Sequence, residues 1–249
     1  MTTSRISVVV ITLNEEDRVR RCLESVAWAD EIVVVDAESH DKTVQVAREF
    51  TDRVISRPWA GFAAQKNFAL ALGTGDWILS LDADEEVSPE LRQELVSTSA
   101  GPGACDGYAV RRQNIFLDQW IRHGGLYPDW QMRLFRRGRG HFAERAVHES
   151  VRVEGTVGRL RGHLVHRSYK SVNDFIERAN RYSSLAAEEL SRAGHRVRTP
   201  ELVLRPLGRF VSMYLIQGGV LDGRRGLLLA SLYAYYVFMR SAKVWEATR

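Results

Sequence analysis

Short runs of β-branched residues alternate with amphipathic stretches through the first hundred residues, and this alternation constrains the fold more than any other feature. The runs at 6–12, 32–35 and 77–81 are almost wholly apolar, as is typical of parallel strands buried on both faces. A shorter strand is predicted at 53–56. The chain is therefore expected to have an α/β fold, with a mostly parallel sheet flanked by helices.

Capping residues and apolar spacing predict helices between these strands. Asn14 stands where the N-cap of the first helix belongs, and Ser39 or Asp41 is expected to cap a second helix that reaches Phe50. A third helix is predicted at 62–72, ended by a glycine. Ser88, followed by proline, predicts the N-cap of a fourth.

Beyond residue 100 the pattern changes to shorter, mixed strands broken by glycine and arginine. Ser171 is expected to cap a long helix that ends before Gly194, and the remaining segment is apolar, basic and helical in pattern. The short strands are predicted at 108–110, 131–135, 151–153 and 164–166. We therefore divide the chain into a main domain, residues 1–198 with halves 1–100 and 101–198, and an amphipathic helical C-terminal segment, residues 199–249.

Composition narrows the class of protein. Cys22 and Cys105 are the two cysteines of the 249 residues, and their spacing encodes neither a disulfide framework nor a zinc site, so we expect a reducing compartment. The first apolar run is too short for a signal peptide and suits a strand. The net charge is +4, but the arginine residues are scattered and form no basic motif interleaved with aromatic residues. This pattern argues against binding to nucleic acid and is compatible with binding to anionic lipid.

Asp82 and Asp84 follow a predicted buried strand and are separated by one residue, so both carboxylates can project from the same edge of the sheet. Carboxylate oxygens suit Mg²⁺ or Mn²⁺, and such an ion commonly bridges protein carboxylates to the phosphates of a substrate. The alternative is a solvated acidic loop that continues into Glu85 and Glu86.

The carboxyl ends of other predicted strands carry polar residues as well. Asp36 ends the second strand, and the loop that contains Asn14 follows the first. In open α/β sheets the ligand crevice lies outside these strand ends. A helix-capping role for either residue remains the alternative.

The motifs VVVITLNEE, EIVVVDAES, QKNFALALGTGDWILSLDADE, AVHESV and HRSY resemble those of family 2 glycosyltransferases, and most of all the bacterial lipopolysaccharide-core β-glucosyltransferases. The likeness extends to the DG and KVWE of the C-terminal segment. It implies the Rossmann-like GT-A fold, a UDP-sugar donor, and a metal ion, Mg²⁺ or Mn²⁺. A nucleotidyltransferase is disfavoured, because its glycine-rich phosphate loop has no counterpart after the first strand.

The resemblance also implies roles for individual residues. Asp82 is expected near the ribose and as a second metal ligand, with Asp84 as the principal one. Thr12, Asn14, Glu15 and Asp36 are expected to contact uridine, and Lys66 and Asn67 to reach the nucleotide from the third helix.

Inversion requires a base that takes the proton of the acceptor hydroxyl. Asp129, Glu144 and Glu149 are candidate carboxylates in the middle region, and His148 is a titratable alternative. Glu149 is preferred because the pair His148–Glu149 matches a recurring element of the resembling family, and Asp129 is kept as second choice. An ion pair with arginine is the alternative role for Glu149.

Three further residues are candidates for the site. His166, preferred to His163 because HRSY matches the family, is a possible third metal ligand. Trp130 offers a ring face for a sugar and Arg133 a fork for phosphate, so we expect both, with His148, on the acceptor and diphosphate side. Packing of Trp130 and Arg133 in the wall of the domain is the alternative.

We therefore expect an inverting hexosyltransferase that moves glucose from UDP-glucose to a lipopolysaccharide-core or related glycolipid acceptor. A polyprenyl-phosphate glycosyltransferase and a non-catalytic nucleotide-sugar-binding protein remain alternatives.

The C-terminal apolar runs, 210–221 and 226–239, are too short to span a bilayer. We expect them to form a peripheral helical pair on anionic membrane at the inner face of the cytoplasmic membrane, with packing on the main domain or in an oligomer as the alternative. Basic residues (Arg209, Arg224, Arg225, Arg240 and Lys243) bracket the runs, and tyrosines (Tyr214, Tyr233, Tyr235 and Tyr236) suit an interface.

Overall fold

The computed structural model describes residues 4–101, 105–143 and 151–249. It divides the chain into two compact units. The first contains the residues up to Arg112 together with 129–166, and the second contains 113–128 and 167–249. We describe each unit by itself.

A nine-stranded sheet is built from the described residues and belongs mainly to the first unit. Its order is β3-β2-β1-β4-β8-β6-β11-β5, with β7 paired to β6, and β9 pairs separately with β10. The strands are β1 (Ile6–Thr12), β2 (Glu31–Asp36), β3 (Val54–Ser56), β4 (Trp77–Asp82), β5 (Glu85–Val87), β6 (Gly107–Phe116), β7 (Gln119–Trp120), β8 (Asp129–Arg136), β9 (Gly140–Phe142), β10 (Val151–Val153) and β11 (Val157–Tyr169).

The predicted parallel half of the sheet is confirmed. Strands β3, β2, β1 and β4 run parallel, so that Thr12, Asp36 and Asp82 end their strands at one edge. Beyond β4 the sheet becomes antiparallel, through β8 and β6. The helices are α1 (Glu16–Val26), α2 (Thr43–Ala47), α3 (Phe62–Leu72), α4 (Pro89–Ala100), α5 (Val172–Arg192), α6 (Glu201–Val211) and α7 (Gly223–Thr248).

Alternate residues of the parallel strands face two separate apolar cores. Val8 and Val10 pack with α1, whereas Val9 and Ile11 pack with α3. Because both faces are covered, the strands carry continuous apolar runs rather than an alternating pattern. The predicted limits of α3, the Ser88 cap of α4 and the Ser171 cap of α5 are confirmed, and both serine hydroxyls accept a helical N–H.

One predicted helix start and one predicted helix end require correction. Asn14 is not an N-cap: it has a left-handed φ of 55°, and its side-chain oxygen accepts from the backbone N–H of His40 instead of from α1. The second helix ends at Ala47 rather than at Phe50, because the chain there tightens into i→i+3 turns. Asp41, not Ser39, accepts from the backbone N–H of Thr43 at the start of that helix.

The segment after Asp84 also departs from the acidic-loop alternative. It forms β5, which pairs antiparallel with β11 so that Glu85 lies opposite His166. In the strand order, β8, β6 and β11 lie between β4 and β5, so these two strands are consecutive in the chain but are not neighbours in the sheet. Glu85 is thereby buried, whereas the sequence pattern had left it in solvent as an alternative.

The second unit is mainly helical. Phe175 and Ala179 of α5 pack on Leu229 and Leu232 of α7, with Phe116 beside them. Between α6 and α7 the chain forms a π-helical turn, Ser212–Ile216, and a 3₁₀ turn, Gly219–Asp222. The prediction of a helical C-terminal segment is therefore confirmed.

The Asp-Gly pair of the C-terminal segment, Asp222 and Gly223, lies where the 3₁₀ turn meets α7 and has a structural role there. The buried carboxylate of Asp222 accepts hydrogen bonds from the backbone N–H groups of Arg122 and His123 and contacts the His123 ring at 3.0 Å. Gly223 has a left-handed φ of 62°, which glycine adopts without strain.

Within the described residues, no helix is long and apolar enough to cross a membrane. The two units group α5 with the C-terminal helices, so their limits differ from the division drawn after residue 198. The assignment of functional domains stays a prediction.

Candidate active site at the carboxyl edge of the sheet

Asp82, the last residue of β4, holds two cations of the first unit. Its Oδ1 lies 2.8 Å from Lys66 Nζ of α3, and its Oδ2 lies 2.7 Å from an Nη of Arg133 on β8. The structure thus brings together three residues that were predicted from separate motifs. The Lys66 ammonium also lies over the Phe142 ring, 5.1 Å from its centre.

Glu85 continues this arrangement toward β6. Its side chain is fully buried, and its Oε1 lies 2.6 Å from Arg133 and 3.7 Å from Arg112. Arg112 in turn binds Asp129 at 2.7 Å. The result is a chain of alternating charges: Lys66, Asp82, Arg133, Glu85, Arg112 and Asp129.

Charge pairing decides the protonation of these groups. Burial by itself would raise the pKa of Asp82, but the charges of Lys66 and Arg133 hold that pKa well below its usual range. Burial would lower the pKa of Arg133, and Glu85 and Asp82 raise it instead. Asp82 and Arg133 are therefore both ionised at neutral pH.

Asp84 lies beside a histidine from the far strand β11. Its Oδ2 is 3.5 Å from His166 Nε2 and 3.9 Å from Arg18 of α1. Burial raises the pKa of Asp84, but His166 and Arg18 outweigh it, so that the pKa falls below its ordinary value. Two of the three predicted metal ligands are therefore neighbours.

The predicted uridine loop is held together by Ser39. The Ser39 hydroxyl donates to the buried carboxylate of Asp36 at 2.5 Å and accepts from the backbone N–H of Asn14 at 2.8 Å. The Thr12 hydroxyl is buried beside them and has no hydrogen-bond partner among the described residues. A buried polar atom of this kind suits a ligand that brings the missing partner.

Two predicted donor-site residues have structural partners. The Glu15 carboxylate contacts Arg18 at 3.2 Å, one turn further along the chain. The Asn67 amide donates to the carbonyl oxygen of Phe142 and accepts from its backbone N–H, and so joins α3 to β9. Contact of either residue with a nucleotide stays a prediction.

Trp130 lies next to Asp129 at the start of β8, between two arginines. The guanidinium groups of Arg111 and Arg159 lie 5.5 and 4.8 Å from its ring centre. Cation–π contacts of this kind hold the ring in place. A role of Trp130 in sugar binding stays a prediction.

The model of the family described as "Glycosyl transferase family 2" matches residues 7–155 of this chain. This chain belongs to glycosyltransferase family 2. The lipopolysaccharide core biosynthesis glycosyltransferase LpsC of Rhizobium meliloti (strain 1021) is 32% identical over 97% of this chain and 92% of its own length. An uncharacterised glycosyltransferase of Rickettsia typhi is 30% identical over 97% of this chain and 87% of its own length.

Solved structures agree with the GT-A fold of this family 2 glycosyltransferase. The mannosyltransferase PcManGT of Pyrobaculum calidifontis, solved with GDP-Man and Mn²⁺, is 14% identical and matches with a TM-score of 0.57, over 99% of this chain and 88% of the other. S. aureus TarS 1-349, solved with UDP-GlcNAc, is 14% identical and matches with a TM-score of 0.51, over 98% and 91%.

The donor set of this family 2 enzyme fits a divalent cation only in part. No group of three or more His, Cys, Asp or Glu side chains in residues 4–101, 105–143 and 151–249 is arranged around one point. Asp84 and His166 supply one carboxylate and one imidazole, which suit Mn²⁺, whereas the oxygens of Asp82 face Lys66 and Arg133. The phosphates of a donor would complete the ligands of such an ion.

The preferred base of the enzyme lies outside the described residues, as do the other two candidates of that segment: Glu149, His148 and Glu144. Asp129 is the one base candidate that the structure places, and Arg112 and Gln131 hold its two oxygens at 2.7 Å.

Sequence reasoning missed three residues that complete the charge arrangement: Glu85, Arg112 and Arg18. Glu85 carried a signal, since it follows the Asp82–Asp84 pair and alternates with Val87 in a strand that buries both. Arg18 and Arg112 carried no signal of their contacts with Asp84 and Glu85, because these carboxylates lie far from them in the sequence.

Proposed function

We propose that the chain transfers a hexose, glucose from UDP-glucose, with inversion to a sugar hydroxyl of a lipopolysaccharide-core or related surface glycolipid. The name of the R. meliloti relative supports the acceptor class, and the likeness of the motifs to lipopolysaccharide-core β-glucosyltransferases supports the donor. The supported activity in the wider sense is that of a family 2 glycosyltransferase.

One observation carries this proposal: an ionised carboxylate next to a histidine, Asp84 and His166, lies beside the chain of alternating charges. Asp84 and His166 would hold a Mg²⁺ or Mn²⁺ ion, which would supply positive charge to the diphosphate of the leaving group. The UDP-GlcNAc and GDP-Man complexes of the matched solved structures, and the Mn²⁺ of one, are compatible with such a donor site.

The chain's own residues bind and orient the donor. Thr12, Asn14 and Asp36 contact the uridine, with Asp82 near the ribose. Lys66 and Arg133 are held by Asp82 at the same edge, and a phosphate oxygen that took the place of this carboxylate would meet both cations. Positioned positive charge stabilises the leaving UDP more than the bound donor.

Inversion follows from attack opposite the leaving group. The acceptor oxygen bonds to the anomeric carbon as the bond to UDP breaks, and the hydroxyl proton passes to a carboxylate. Glu149 is the proposed base and Asp129 the alternative. In the structure Asp129 is paired with Arg112 at 2.7 Å.

The glycolipid acceptor gives the protein a location. We infer peripheral contact with anionic membrane, at the inner face of the cytoplasmic membrane. The Tyr and Arg residues first expected to face lipid are partly engaged within the second unit. Tyr233 packs on Phe175 at 5.5 Å, and Arg225 donates to the carbonyl oxygen of Leu117.

A panel of donors and acceptors read by mass spectrometry tests the function directly. The expected product is a β-hexosylated core oligosaccharide formed from UDP-glucose. Product formed on polyprenyl phosphate instead of a sugar hydroxyl would assign the alternative transferase. UDP-sugar binding without UDP release in any reaction would leave a nucleotide-sugar-binding protein.

A further inference from the structure

The outward face of α6 is apolar, unlike that of α1. On α1, the exposed positions are all charged: Glu16, Asp17, Arg20, Arg21 and Glu24. On α6, the exposed positions are Val203, Leu204, Leu207 and Gly208, and none is charged. Soluble helices normally place polar residues on this side, so the inversion indicates a surface that something covers.

The apolar surface continues past the end of α6. The turn to α7 exposes Leu215, Ile216 and Leu221, and Ile216 and Leu221 are 78% and 71% exposed. We name Val203, Leu204, Leu207, Leu215, Ile216 and Leu221 the apolar rim. Its α6 members lie within about one helical turn of each other, so they share one side of the helix.

Positive charge predominates in the unit that carries the apolar rim. The second unit carries 15 Lys and Arg residues against eight Asp and Glu, whereas the rest of the chain carries 20 against 23. Arg205 and Arg209 flank the outward face of α6 and are half-buried, and Arg224 is exposed at the start of α7. Arg205 is paired with Glu201 on the same helix, and the Arg209 guanidinium lies over the Tyr233 ring at 5.4 Å, so Arg224 is the most outward of the three. Arginine stems can lie along apolar surface while the guanidinium group meets lipid headgroups.

We propose that the apolar rim inserts into the headgroup region of an anionic bilayer. This inference rests on the glycolipid acceptor of the proposed function and names the surface that meets the membrane. An apolar stripe flanked by arginine is the composition of helices that lie in a membrane interface. The aliphatic side chains enter the acyl boundary, and the arginines bind anionic headgroups.

A second copy of the chain fits this surface less well. A two-fold contact brings the same patch of each copy together, and here it would place Arg205, Arg209 and Arg224 near their own counterparts. Like charges across an interface disfavour association. An anionic lipid surface has the opposite charge and imposes no such penalty.

Vesicle sedimentation tests the proposal with the full-length chain. We expect binding to phosphatidylglycerol-containing vesicles at low salt, release as salt rises, and much weaker binding to pure phosphatidylcholine. The double variant Leu204→Glu/Leu207→Glu should weaken binding at least about tenfold, because two leucines that would enter the bilayer are replaced by anions. Ile216→Glu/Leu221→Glu should act in the same way at the turn.

A matched control is Leu185→Glu, which adds one anion at a 49% exposed leucine of α5, in the same unit but outside the apolar rim. It should retain binding, and circular dichroism should show the same helix content in all variants. Failure of the wild type to bind anionic vesicles at any salt would overturn the proposal. So would retained vesicle binding in both rim variants, with loss of a dimer in sedimentation velocity; that result would assign the rim to a second copy.

The two proposals fail separately. Calorimetric binding of UDP-glucose and transfer to a soluble core oligosaccharide do not require the apolar rim. If these persist while vesicle binding is absent, the membrane proposal is wrong and the proposed function stands. If vesicle binding is present but no nucleotide sugar binds, the proposed function is wrong.

Discussion

The carboxyl edge of the sheet buries charged side chains, whereas the C-terminal helices expose apolar ones. At the edge, Asp82, Glu85 and Arg133 are partly or fully buried, and each carries at least one ion-pair partner. On α6 and the turn after it, apolar residues point outward and arginines flank them. Burying a charged pair costs desolvation free energy, so such pairs are typical of sites where the position of the charges matters. An exposed apolar surface is typical of a region that a binding partner covers.

The difference suggests a division of labour between the two units. The first holds groups suited to a charged, soluble donor, and the second presents a surface suited to an anionic membrane. If this division is right, changes at the edge should alter transfer and leave vesicle binding intact, and changes on the apolar rim should do the reverse.

The largest effect is expected at Asp84. Asp84→Ala removes a proposed metal ligand and should lower kcat by at least about 10³-fold, with EDTA imitating it in the wild type. Steady-state transfer assays measure this. Asp52→Ala, at an exposed carboxylate away from the edge, is the control and should be near wild type. If Asp84→Ala also reduced vesicle binding, the two regions would not act independently.

The base should give the next largest effect. Glu149→Gln is nearly isosteric and should lower kcat about 10²-fold or more while the KM for UDP-glucose changes little. Asp129→Asn, measured in the same assay, should have the smaller effect. The reverse order would exchange the two roles and place the base on β8, next to Arg112.

Glu85 should matter for stability. Glu85→Gln leaves Arg133 buried with one carboxylate partner in place of two, and we expect a loss of about 3 kcal/mol in the free energy of unfolding. Urea denaturation measures it, and Glu24→Gln, at an exposed site on α1, is the matched control. A variant as stable as the control would show that the chain of charges adds no stability.

The parallel strands were predictable because local sequence decides them. Continuous β-branched runs indicated strands that are buried on both faces. The capping serines and the glycines after the helices indicated where α3, α4 and α5 begin or end. Asn14 was misread because a polar residue before a helix fits a cap and a left-handed turn equally well. Its true partner, the N–H of His40, belongs to another loop.

The site was only partly predictable, for the same physical reason. Asp36, Asp82 and Asp84 end or follow strands, so their shared edge follows from topology. Arg133 was expected to bind phosphate, but its partners in the structure are carboxylates 51 and 48 residues away. A local sequence pattern cannot indicate such an ion pair, because the pair depends on the order of the strands in the sheet.

A smaller effect is expected from a change of pH, which should alter the stability of the fold. The folded-state pKa values of Asp82 and Asp84 are lowered, so their contribution to stability is present above about pH 4 and lost as pH falls below it. Thermal unfolding should therefore show a Tm that is steady from about pH 5 upward on this account and falls in acid. Asp82→Asn should flatten that fall, and an unchanged acid profile would contradict the pairing of Asp82.

The central claim is that Asp84 and a divalent ion bind the donor at the edge of the sheet. Calorimetric titration of UDP-glucose into the wild type, with Mn²⁺ and then with EDTA, tests it most directly. We predict an affinity at least about tenfold weaker in EDTA, with Asp84→Ala showing the weak value under both conditions. Equal affinity in Mn²⁺ and EDTA, or an Asp84→Ala variant that still responds to Mn²⁺ like the wild type, would contradict the claim.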